Sequence, residues 1–215
     1  TLNFDFPTGV GHSIQRLAER LSASEGAVSA SDIALDAIFE IFPVDRALII
    51  TRRMSTQGVV PEILASRTRP PSEDPTGQFD TIIPGLVLST LCTDSRLSNA
   101  NEATAAVRAA LADRSTSPIL VAPLRQRGET FGAIFLDAVM LPEWVQSDEM
   151  LEFLSSVGSM AALAISRARV QAELGVERRL ALRQKVQLSR RTKKSTARDT
   201  AELDIGANGI SESLR

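Results

Sequence analysis

Several residue types are nearly missing from this chain of 215 residues, and each shortage excludes a class of chemistry. A single cysteine, Cys92, rules out an internal disulfide and any cysteine-built zinc site. A single histidine, His12, removes multi-histidine metal centres and leaves little room for a Ser-His-Asp triad. Tyrosine is absent and tryptophan occurs once. No apolar run approaches the roughly 18 residues of a membrane span, and no charged-then-apolar leader opens the chain. The expected setting is cytoplasmic. Carboxylates are plentiful, but no pair stands on a frame suited to general acid–base work, so a non-enzyme is expected.

Net charge is also small: 24 basic against 26 acidic residues give −2. No global field draws the chain to nucleic acid or to an anionic membrane. The charge is unevenly placed, however. Residues 166–198 hold 11 Lys or Arg against 2 Glu, a local +9 that leaves −11 for the remainder. That segment lacks aromatics for base stacking and shows no helix-turn-helix, so a solvated, charge-rich helix is favoured over a nucleic-acid arm.

Periodicity supplies the rest. Apolar residues at helical spacing predict helices over 13–22 and over 32–42, the second capped by Ser31 and stopped by Pro43. Residues 46–53 read as a strand and 59–66 as a weaker one. A helix is expected from about Pro84 to Leu91, a polar loop over 93–101 and an Ala-rich helix over 102–112. Strands at 119–125 and 131–138, parted by a segment containing Gly128, predict a hairpin. Ser147 or Asp148 caps the longest helix, whose stripe of Phe153, Val157, Met160 and Ile165 faces a core. Beyond Arg190 the polar composition predicts a disordered linker. The order predicts an α+β domain over 30–170. A linker and leading helix occupy 1–29, a helical extension 171–192 and a linker 193–215. The chain is expected to be part of a longer protein with domains on both sides.

The stretch Pro43-Val44-Asp45-Arg46 into Ala47-Leu48-Ile49-Ile50 resembles the GAF domain family. So do Val121-Ala122-Pro123-Leu124, then Gly128 and Gly132, then Phe135-Leu136-Asp137. Trp144 and Asp148 before Leu151, and Ala161-Ala162-Leu163-Ala164-Ile165 before Ala168-Arg169, extend the likeness over roughly 30–170. The opening is similar to GAF domains placed behind an FHA domain in bacterial regulators. The resemblance implies a six-stranded antiparallel sheet between helices, with a small-molecule pocket on one face. It also implies a parallel homodimer through the flanking helices, and a sensing role read by an output domain.

The ligand is left unknown. Cys92 is followed by Thr93 rather than His, His12 lies ahead of the domain, and the cyclic-nucleotide motif of the family is absent, so no bilin, haem or metal signature is present. The candidate ligand-binding residues are Thr51, Cys92, Thr93, Asp94, Arg96, Asn99, Val121 and Pro123. Asp, Asn and Ser of the 93–101 loop equally suit a turn held by side-chain hydrogen bonds, and Pro123 implies a sheet edge or bulge. Leu17, Leu21, Ile165, Leu174 and Leu188 are the candidate dimer positions. A ligand-free interaction module on the same fold is the alternative.

Overall fold

The computed structural model describes residues 10–56, 58–69, 82–93, 97–111 and 118–211, with side chains except at 10–12, 93, 186 and 188–211. The chain forms two compact units, Thr1–Arg169 and Val170–Arg215. The first opens with helices α1 (Val10–Ser22) and α2 (Ala27–Ile41), then strands β1 (Arg46–Ser55) and β2 (Gly58–Thr68). Helices α3 (Ile83–Thr93) and α4 (Ala100–Leu111) follow, then strands β3 (Ile119–Gln126) and β4 (Glu129–Asp137). A 3₁₀ turn, Glu143–Gln146, leads into α5 (Asp148–Ser211).

The strands form one antiparallel sheet in the order β2-β1-β4-β3. Among the described residues it has four strands where the resemblance implies six. Helices flank it on both faces, as the α+β reading requires. Alternation along each strand divides the apolar residues between two cores. Ala47, Ile49, Leu120, Ala122, Ile134 and Leu136 point to α1, α2 and α5. Leu48, Ile50, Val121, Ala133 and Phe135 point to α3 and α4.

Local structure departs from expectation in places with clear causes. Helix α2 begins at Ala27, so Ser31 is no cap: its buried hydroxyl donates to the Ala27 carbonyl at 2.8 Å. Two alanines at 27 and 30 are good helix formers and carry the serine-rich stretch into the helix. The helix stops at Ile41, and Phe42 is extended (φ −93°, ψ 130°), as the residue before a proline prefers. Strand β2 pairs along its whole length with β1, past a bulge at Ile49/Ile50. The predicted hairpin forms with a turn of only two residues. Arg127 (φ 52°) and Gly128 (φ 85°) both have positive φ, the combination a tight type I′ connection needs.

Helix α5 starts behind Ser147, whose hydroxyl accepts from the Met150 N–H at 3.4 Å and whose carbonyl accepts from Leu151 at 3.0 Å. In the first unit it buries Phe153, Leu154, Val157, Ala161 and Ile165 under the sheet. Gly158 permits this approach, since a Cβ there would lie 3.2 Å from Ala122 Cβ. In the second unit the helix backbone continues to Ser211, through the stretch from 193 expected to be a linker. No proline follows Pro142, so nothing in the covalent chain interrupts the hydrogen-bond ladder. Among the described residues no helix is long and apolar enough to cross a membrane.

Candidate functional site

The α3/α4 face of the sheet carries three of the candidate ligand residues, Cys92, Val121 and Pro123. Its floor is Leu48, Ile50, Val121, Ala133 and Phe135, and its roof is Val87, Leu88 and Leu91 of α3 with Ala103 and Val107 of α4, all buried. Thr104 joins the two layers. Its hydroxyl accepts from the Val121 N–H at 2.8 Å and donates to the Val121 carbonyl at 3.3 Å. One helical turn later Arg108 donates to the Ile119 carbonyl at 3.3 Å. The backbone of β3 that a ligand would have to address is thereby partly satisfied by α4.

At the hairpin end of this face, the Cys92 sulfur lies 3.6 Å from the Thr130 carbonyl oxygen. Burial pushes its thiol up from the ordinary 9.0, and the Arg52 guanidinium pulls in the opposite direction. Arg52 itself pairs with Glu129 at 3.2 Å. A raised pKa works against thiolate formation at this exposed thiol.

Beside the sheet, where α4 begins, a cleft of about 240 Å³ is lined by Asn99, Asn101, Asp148, Leu151, Glu152 and Ser155. Ser155 of α5 accepts from the Ala100 N–H at 2.8 Å and ties the start of α4 to α5. Among the described residues no group of three or more His, Cys, Asp or Glu is arranged to hold a metal ion.

A family model described as GAF domain matches residues 27–165. The chain belongs to the GAF domain family. No curated protein matches it in sequence. Solved structures agree on the fold. The chromophore-binding domain of an unusual bacteriophytochrome from R. palustris is 12% identical with a TM-score of 0.53, over 76% of this chain and 62% of that one. The GAF domain of an Acinetobacter phosphoenolpyruvate-protein phosphotransferase is 14% identical with a TM-score of 0.50, over 74% and 93%. The photosensory core module of the Stigmatella aurantiaca phytochrome is 10% identical with a TM-score of 0.50, over 74% and 37%. This chain therefore spans less than two thirds of the length of each of these two phytochrome chains.

Within this GAF domain the candidate residues do not form one site. Val121, Pro123 and Cys92 belong to the α3/α4 side. Pro123 lies on β3, the outermost described strand on its side of the sheet, one residue ahead of a register shift at Leu124/Arg125. Edge and irregularity thus coincide, as a proline in a sheet requires. Thr51 is on the other side: its fully buried hydroxyl accepts from Arg169 of α5 at 2.6 Å. Asn99 caps α4, its Oδ1 accepting from the Glu102 N–H at 2.9 Å, while Glu102 accepts from the Ser98 N–H at 2.9 Å. Donation to its carboxyl, from the Ser98 N–H first and from Asn99 to a lesser degree, holds Glu102 below its ordinary 4.5. Asp94 and Arg96 lie outside the described residues, as does the side chain of Thr93.

The dimer candidates also separate. Leu17, Leu21 and Ile165 are 2%, 3% and 0% exposed within the chain's own core, where α1 packs with α2 and α5. Leu174 is half exposed in the second unit, and the Leu188 side chain lies outside the described residues.

Sequence reasoning missed three contributors: Arg52, Thr104 and Arg169. A signal existed for Thr104, because the 100/103/104/107/111 spacing places a lone hydroxyl on the buried face of an Ala-rich helix. Gly132 carried a signal as well. A Cβ there would sit 2.4 Å from the Ile50 carbonyl oxygen, so the β1–β4 pairing at Thr51 demands glycine.

Proposed function

We propose that this GAF domain is a regulatory sensor module of a larger bacterial signalling protein, acting in the cytoplasm and without catalysis of its own. An unidentified small molecule is its trigger, a homodimer is its working form, and an output domain beyond α5 reads its state. The placement behind an FHA domain in a transcription regulator is the finer part of this reading and rests on sequence resemblance alone.

One observation carries it. Helix α5 supports the sheet through Met150–Ala168 and continues as helix after that, so a change in the sheet has a covalent route out of the domain. Two structural neighbours are named as a chromophore-binding domain and a photosensory module, and sensing is the role carried over here. A ligand biases the module only by the difference in its affinity for two states of the fold.

A second reading, a ligand-free interaction module, is favoured by the filling of the α3/α4 face with the domain's own side chains. Native mass spectrometry of the full chain separates the two. A dimer with retained added mass supports sensing, and a bare dimer supports the interaction module. A bare monomer counts against helical coupling in either form. Leu174→Asp with Leu188→Asp is expected to convert a dimer to monomers, and an unchanged dimer would reject pairing through α5.

A further inference from the structure

Two arginines stand at the end of the first unit, and neither is used by the readings above. Arg167 donates to the carbonyls of Leu21 at 3.1 Å and Ser22 at 2.8 Å. Both are among the last carbonyls of α1; that of Leu21 also accepts from the Ser24 N–H at 3.3 Å and hydroxyl at 2.8 Å, and a cation there suits the helix dipole. Arg169 donates to the Thr51 hydroxyl of β1 at 2.6 Å. Its guanidinium also lies 3.4 Å from Glu62 of β2 and 5.9 Å from the centre of the Phe131 ring of β4. One planar cation thereby addresses three adjacent strands, a task its fixed fork of donors performs and a lysine's point charge does not.

Geometry separates the two grips. Residues two apart on a helix differ by about 200° in direction, so the side chains leave α5 on nearly opposite sides. One reaches the helix that opens the domain and the other reaches the sheet. Both act where the buried stripe of α5 runs out: Ala168 is 8% exposed and Val170 is 50% exposed. Thr51 adds a cost to release, because a buried hydroxyl that loses its partner retains its desolvation penalty.

We propose that Arg167 and Arg169 form a two-point clamp that sets the position of α5 and gives it two separable inputs. Arg167 couples α5 to whatever moves α1. Arg169 couples it to whatever moves the β1–β4 junction, where Thr51 faces Gly132. Their role as inputs rests on the signalling reading above; the clamp itself does not need a ligand. Both are positioning residues.

Hydrogen exchange followed by mass spectrometry on the full chain, without ligand, tests this. Arg169→Gln and Thr51→Val are each expected to speed exchange of the α5 amides at 166–176 at least ten-fold. The double variant should do no more than either alone, and Thr51→Ser should behave as the parent. Arg167→Gln should speed exchange at 18–23 as well as in α5, and its effect should add to that of Arg169→Gln. In all of these, local exchange in α3 and α4, whose openings leave the clamp formed, should stay unchanged, while the urea midpoint falls slightly. Unchanged α5 exchange overturns the clamp, and so does a rise of the same size in α3 and α4, which marks a merely structural role. Loss of the clamp in a chain that still retains a small molecule would leave sensing intact. A working clamp in a chain that never binds one would leave only the sensor reading in difficulty.

Discussion

The sheet is covered on both faces, but by different constructions. On one face a single helix, α5, lays Phe153, Leu154, Val157, Ala161 and Ile165 across the strands, with α1 and α2 beside it. On the other, α3 and α4 have only 11 and 12 residues. Helices that short are marginal in isolation, so they hold their shape by packing on the sheet and by side-chain bonds such as Thr104 to Val121. The contrast teaches a division of labour. The α5 face rests on one long helix and the α3/α4 face on two short ones, so local opening is expected first on the α3/α4 face.

The sharpest way to break this contrast is one substitution made on each face at matched burial. Leu154 of α5 and Leu91 of α3 are 0% and 1% exposed. Leu154→Ala is expected to cost about 4 kcal/mol and Leu91→Ala about 2 kcal/mol, since the shorter helices can settle into the space left. Equal urea midpoints for the two variants would mean that the faces are equally closed. Thr104→Val comes next. Leaving the Val121 N–H without its acceptor should cost about 1–2 kcal/mol, with faster exchange in α4 and none added in α5.

Gly128→Ala is a control that belongs to neither face. Placing a Cβ at φ 85° should cost about 1 kcal/mol and slow hairpin closure, with both helical layers keeping their relative exchange rates. The smallest effect is electrostatic. The folded-state pKa of Glu102 is lowered, so its contribution is present above the ordinary value of 4.5 and disappears as pH falls through the depressed folded value. Urea midpoints of Glu102→Gln and the parent should therefore differ above about pH 4.5 and converge as pH falls through the lower folded value. A gap that persists in acid would assign the effect to geometry rather than charge.

What the sequence made legible follows from range. The strand from Arg46, the tight hairpin at Gly128 and the buried stripe of α5 are all local patterns, readable from alternation, turn chemistry and helical spacing. The start of α2 was misplaced because Ser31 has the chemistry of a cap and nothing local says that its hydroxyl turns back to Ala27. The site was less legible. Thr51 depends on Arg169, 118 positions away, and Cys92 sits beside Arg52, which no neighbouring residue announces. Which face a strand residue serves follows from register, and a register is a property of paired strands rather than of either strand alone. Leu17 and Leu21 illustrate the same point on a helix. Their spacing marks an apolar face without saying whether it is met by a second chain or, as here, by α2 and α5.

The hydrogen bonds from Thr104 and Arg108 to β3 have a consequence for how the molecule behaves when concentrated. An outer strand with unclaimed amides and carbonyls is a template on which another protein's strand can grow. On β3 the groups at Ile119 and Val121 are already claimed by α4. That leaves β2 as the outer strand open to recruitment among those described, and β2 is a poor template. Pro61 deletes a donor, the bulge opposite Ile49 and Ile50 bends the line of acceptors, and the Glu62 carboxylate, paired to Arg169, puts a charged side chain where a flat apolar surface would invite stacking. Both described outer strands of this largely aliphatic sheet thus carry features that disfavour edge-to-edge pairing.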